Sequence, residues 1–134
     1  MATSIVRYLG ELRTSSMHMQ SGTEIITDAP TDNQGKGEAF SPTDMVCNSL
    51  ATCMITIMAI KARDMDTELK GTTAEVTKVM ATEPRRISEI HIHFEMDLVV
   101  DAKTKTILER VARQCPVHYS LHPDLKKVIT FNWK

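Results

Sequence analysis

Two thiols far apart in the chain, Cys53 and Cys115, are the residues whose settings most invite chemistry. Cys53 sits inside the most apolar helical stretch, Met45 to Ile60, whereas Cys115 stands directly before Pro116, where a helix should end. Thiols in such different places can differ widely in pKa and access, which is what redox chemistry requires. Pro116 fits the first position of a new helical turn, leaving Cys115 near its N-cap, where amides and the positive helix end favour a thiolate. The bland reading of Cys53 is a small core hydrophobe, because free cysteine is among the most buried residue types. Cys47 reads as a bystander. Three cysteines without a secretory segment or a Cys-x-x-Cys pair suit neither a disulfide scaffold nor a metal knot, so any disulfide should be transient and chemical in purpose.

Other side chains compete for a role. His91 and His93 lie two apart on one strand face, a spacing that metal sites use when a third ligand converges, but Glu95 and Asp97 continue the same polar face and favour a solvated strip. His118, three residues after Cys115, allows a Cys-His hydrolase, although a nucleophile would need its own oxyanion donors. Arg13, on a strand otherwise poor in strong cations, could lend positive charge to a thiolate or simply be solvated. The nine methionines fall mostly at core-like positions, and packing explains them without a copper site.

The elements that must hold these residues are legible in outline. Ser4 to Met19 reads as one or two amphipathic strands turning at Gly10, and Thr23 to Thr27 as another after Ser21-Gly22. Residues Asp28 to Gly37 are turn formers without apolar periodicity and form a surface loop. Ser41, Pro42 and Asp44 open a helix as N-cap, first-turn proline and first-turn acid. Through Ala62 its apolar residues fall on nearly every side, which predicts a central helix covered all round. Strands follow at Leu69 to Ala81 and Ile87 to Val100, turning at Glu83-Pro84-Arg85; in the second, Ile90, Ile92, Phe94, Met96 and Leu98 alternate with polar residues. A helix over Asp101 to Gln114, a short turn over Val117 to Leu121 and a strand over Val128 to Trp133 complete the order βββ-α-ββ-α-β. Helices segregated from antiparallel strands make the class α+β.

The 134 residues suffice for one compact unit, and Lys+Arg 16 against Asp+Glu 17 leaves no electrostatic footprint for nucleic acid or an anionic membrane. The best apolar stretch is interrupted by polar residues and short for a bilayer, so a soluble, cytoplasmic protein is expected.

Ser41-Pro42-Thr43-Asp44-Met45 with Ser49-Leu50-Ala51-Thr52-Cys53-Met54, then Gln114-Cys115-Pro116-Val117-His118, resembles the OsmC/Ohr family of thiol peroxidases, and its OsmC-like branch in particular. The likeness spans essentially the whole chain, including the loop that leads through Gly37 and Glu38 into Ser41-Pro42. It implies an OsmC-like fold, with antiparallel sheets wrapped around two central helices in an intertwined homodimer. It also implies a peroxidatic Cys53, a resolving Cys115, and a disulfide between them that a dithiol reductant reopens. Neither a cofactor nor a metal is implied. Met54, Ile57 and Met58 would then supply an apolar pocket for organic hydroperoxides. Better-known members carry a glutamate directly after the helix-start proline, where it orients an arginine against the sulfur; this chain has Thr43 there. Glu38 or Asp44 would take the glutamate's part and Arg13 the arginine's. The alternative in the same fold is a non-catalytic dimeric protein that binds a small apolar ligand.

Overall fold

The structure, a computed structural model, describes all 134 residues. They group into two compact units, residues 1–46 and 47–134. The first is built on an antiparallel sheet in the order β1 (Ser4–Gly10), β2 (Arg13–His18), β3 (Glu24–Asp28). Arg13 pairs in register with Asp28, so both side chains leave the same sheet face. The following loop contains one 3-10 turn, Thr31–Asn33, and folds back on itself. Amides of Gly35 and Gly37 donate to the carbonyls of Pro30 and Ala29 at 3.0 and 3.1 Å. A β-carbon at Gly35 would overlap the Ala29 carbonyl, so only glycine lets the loop close this tightly.

Helix α1 (Pro42–Asp64) starts as the sequence predicts. Asp44 donates its N–H to Ser41 Oγ at 3.1 Å, and Ser41 returns its own to Asp44 Oδ2 at 3.0 Å, a reciprocal cap on two free amides. Its buried residues, Cys47, Leu50, Ala51, Met54, Met58 and Ala62, recur every three or four positions as one stripe. The expected cover on every side is therefore not met within the chain, since Val46 and Ile60 stay exposed. At 23 residues the helix is also longer than the apolar stretch in the sequence, and by length and composition alone it reaches what a membrane span needs. The buried stripe, enclosed in the chain's own core, accounts for that hydropathy.

The core lies in the second unit, where β4 (Thr73–Ala81), β5 (Arg86–Met96) and β6 (Lys126–Trp133) form a sheet in that order. The chain turns at Gly71, φ 99°, so β4 begins later than Leu69. β4 and β5 form the expected antiparallel hairpin, but β6 runs parallel to β5. That corrects the all-antiparallel reading: a crossover through α2 (Ala102–Ala112) and α3 (Pro116–Ser120) is long enough to bring the chain back in the same direction. Ile90, Ile92, Phe94 and Met96 alternate inward, and Phe94 stacks on Phe131 with ring centroids 5.0 Å apart. Asp101 caps α2 through a 2.8 Å bond from the Thr104 N–H, and Trp133 ties β6 to α2 by donating its ring N–H to Glu109 at 3.2 Å. Fully burying each such large apolar side chain contributes about 1.5–3 kcal/mol.

Candidate active site

Cys53 rides on α1 immediately before Met54 of the buried stripe, so a helical step of about 100° turns its side chain to the stripe's flank. There it is half-buried, while Cys115 is fully buried. Cys115 is the N-cap of α3, with φ −71° and ψ 149°, and its Sγ accepts the His118 N–H at 3.3 Å. The Cys53 side chain lies within hydrogen-bonding reach of that sulfur, and both cysteines are free thiols. Folding thus brings together two residues separated in sequence by a hairpin and a helix.

The electrostatics of Cys115 depart from the sequence expectation. Burial pushes its thiol up and the neighbouring Cys53 pushes the same way, while the His118 and Val117 amides pull it down without prevailing. The N-cap position does not make Cys115 the thiolate of the pair; it stays protonated at neutral pH. An S–H so held can donate to the Cys53 sulfur.

Two expected pocket residues need correction. Met54 and Met58 fall at i and i+4 on the stripe that includes Leu50 and Ala62, and both are fully enclosed in the core rather than open to a ligand. Ile57, one turn beyond Cys53, is half-buried and lies beside it on the helix.

In the first unit, Arg13 carries two carboxylates: its Nη2 is 3.1 Å from Glu38 Oε1 and 3.4 Å from Asp28 Oδ2. Of the two acids considered for pairing with it, Glu38 is the one that does; Asp44 is occupied in the α1 cap. Asp28 was missed in the sequence, where it reads as the first turn former after a strand. Its side chain is fully enclosed, and its Oδ2 also accepts the Glu38 N–H at 2.9 Å. That amide first, and then Arg13, hold its carboxyl below the usual range against the opposing effect of burial. Glu38 and Asp28 in turn raise the Arg13 guanidinium. Asp28 Oδ1 and Arg13 Nε are buried without a partner. The signal that could have found Asp28 is its register opposite Arg13.

The other candidates are placed differently. Only the backbone N–H of His118 meets the Cys115 sulfur, which removes the geometry a Cys-His nucleophile needs. His91 Nε2 turns to Glu89 at 3.0 Å and His93 Nε2 to Glu95 at 2.9 Å, so the pair diverges along the strand, and no group of three ligating side chains converges.

Residues 35–129 match the family model described as OsmC-like protein. No curated protein matches the chain. Among solved structures, a protein of Psychrobacter arcticus, provisionally assigned as an osmotic-stress-induced and detoxification-response protein, is 57% identical with a TM-score of 0.96; the match covers 98% of this chain and 96% of that one. An organic hydroperoxide resistance protein OsmC of Legionella pneumophila matches at 15% identity and a TM-score of 0.72, covering 98% of both chains. An organic hydroperoxide resistance protein of Elizabethkingia anophelis matches at 13% identity and 0.75, covering 100% of this chain and 98% of that one. The last two show likeness of fold.

Proposed function

The chain belongs to the OsmC-like protein family, and from that premise we propose that it is a thiol peroxidase reducing organic hydroperoxides in oxidative-stress defence. The observation that carries this reading is the asymmetric sulfur pair: a half-buried Cys53 within reach of a buried, protonated Cys115. The Cys53 thiolate attacks the peroxide oxygen distal to the organic group; the O–O bond breaks, and the alkoxide leaves and takes a proton as the alcohol. Cys53 is left as a sulfenic acid. Cys115 then displaces hydroxide from that sulfur, forming the disulfide with loss of one water. A dithiol reductant reopens it by thiol exchange and carries away the two electrons.

Within the first unit, two carboxylates restrict where the Arg13 guanidinium can go. Ile57 beside Cys53 offers apolar contact, and each methylene buried there favours an alkyl peroxide over hydrogen peroxide by about 0.8 kcal/mol. A cytosolic setting keeps the thiols reduced between cycles. The active form is a homodimer, supported by apolar side chains left exposed on both faces of the first sheet.

Counting free thiols after modest excess cumene hydroperoxide tests the reading. The wild type should lose two thiols and Cys53→Ser none, while Cys115→Ser should accumulate a sulfenic acid that dimedone traps. A wild type that loses no thiols overturns it.

A further inference from the structure

The sulfur pair joins two elements of very unequal hold. Cys53 belongs to a helix of 23 residues and lies between Ala51 and Met54, both buried in the core. Moving it would drag a packed stripe along. Cys115 instead begins α3, five residues long, none of them buried. So short a helix has little stability of its own. Its end bonds are long, Tyr119 N–H to the Cys115 carbonyl at 3.3 Å and Leu121 N–H to the Val117 carbonyl at 3.2 Å. The side chain that closes its first turn is Cys115, whose sulfur accepts the His118 N–H at 3.3 Å. The closed turn also carries a penalty, because His118 Nδ1 is shut off from water without a hydrogen-bond partner.

The same sulfur cannot serve both partners at once. A disulfide bond is far shorter than the hydrogen-bonding reach that separates the two thiols, so closing the bridge draws the sulfurs together. With α1 fixed by its core, that movement falls on Cys115 and the turn it caps. We propose that Cys115 is a redox latch on α3: as a thiol its sulfur caps the turn, and bonded to Cys53 it leaves the His118 amide, so that α3 loosens. The device rests on the disulfide between Cys53 and Cys115 in the peroxidase reading, but not on a peroxide as the oxidant. It gives the oxidised protein a surface at half-buried His118 and exposed Tyr119 that the reduced protein lacks, beside the bond that a dithiol reductant must reopen.

The experiment oxidises the protein with diamide, which takes the two electrons and two protons of the thiol pair and is reduced to the hydrazine; peptide mass spectrometry locates the bridge. Amide hydrogen exchange is then followed residue by residue by NMR. On bridging, the His118 amide should exchange about tenfold faster, the loss expected when a helix gives up its cap, while the Met54 amide stays protected. In Cys53→Ser, which cannot form this bridge, diamide should leave the His118 rate unchanged. A bridge between Cys53 and Cys115 with no change at His118, or a pair that diamide cannot close, overturns the latch. An equal rise in Cys53→Ser does so too. The peroxidase reading is tested apart. Faster exchange under diamide with no thiol consumed by cumene hydroperoxide keeps the latch and loses the peroxidase; a bridge formed by the peroxide without faster exchange does the reverse.

Discussion

A thiol held protonated in the interior and a thiol at the flank of a helix are not equivalent targets. Cys115 is raised chiefly by burial, so its charged form is disfavoured throughout the neutral range, and Cys47 is equally enclosed. Iodoacetamide at neutral pH should therefore label Cys53 first, with Cys115 and Cys47 reacting only after unfolding; peptide mass spectrometry reads the order, and prior labelling of Cys115 would contradict the assigned asymmetry. Asp28 gives a second residue-level prediction. A carboxyl held low in the fold stabilises the native state above its unfolded pKa, near the ordinary 3.8, and that stabilisation is lost as pH falls through the lower folded value. Asp28→Asn should lower the thermal midpoint at pH 7, and the gap to wild type should narrow below about pH 3.8. A gap that does not vary with pH would mean that Asp28 acts by shape rather than charge. This carboxylate was hidden in the sequence because a residue at the end of a strand and the start of a loop looks like a turn former, and only register reveals the arginine across from it.

At the scale of elements, the start of α1, the alternation of β5 and the Cys115-Pro116 break were readable because each rests on local chemistry: a cap, a period of two, and a proline that cannot continue a helix. The direction of β6 was not, since a strand's own residues do not encode which way its neighbour runs. The burial of Met54 and Met58 was obscured by a helix apolar on too many sides for periodicity to name one inward face. The stripe makes a direct prediction. Met58→Ala empties a fully enclosed site and should cost about 2–5 kcal/mol in urea unfolding. Ile60→Ala, at a side chain 54% exposed in the single chain, should cost far less unless a second copy covers it.

For the whole molecule, the first sheet sets the hardest condition on stability. Register puts Ile5 on one face with Met17, and Val6 and Tyr8 on the other. Exposures of 50% for Ile5 and 63% for Val6 show apolar surface open on both sides at once. A solvated antiparallel sheet normally keeps one face polar, and continuous apolar surface of this kind marks an interface. Two-fold pairing with an identical copy covers such surfaces reciprocally, each subunit supplying what the other lacks. Sedimentation equilibrium at micromolar concentration should thus give twice the 15.0 kDa chain mass. Replacing one apolar residue on each face, Ile5→Lys with Val6→Lys, should shift the protein toward a monomer with a lowered thermal midpoint, because a charge buried at an interface without a partner is costly. A wild type that sediments as a monomer and unfolds at the same temperature as the double variant would show that the exposed sheet is tolerated by the single chain, and the homodimer would have to be abandoned.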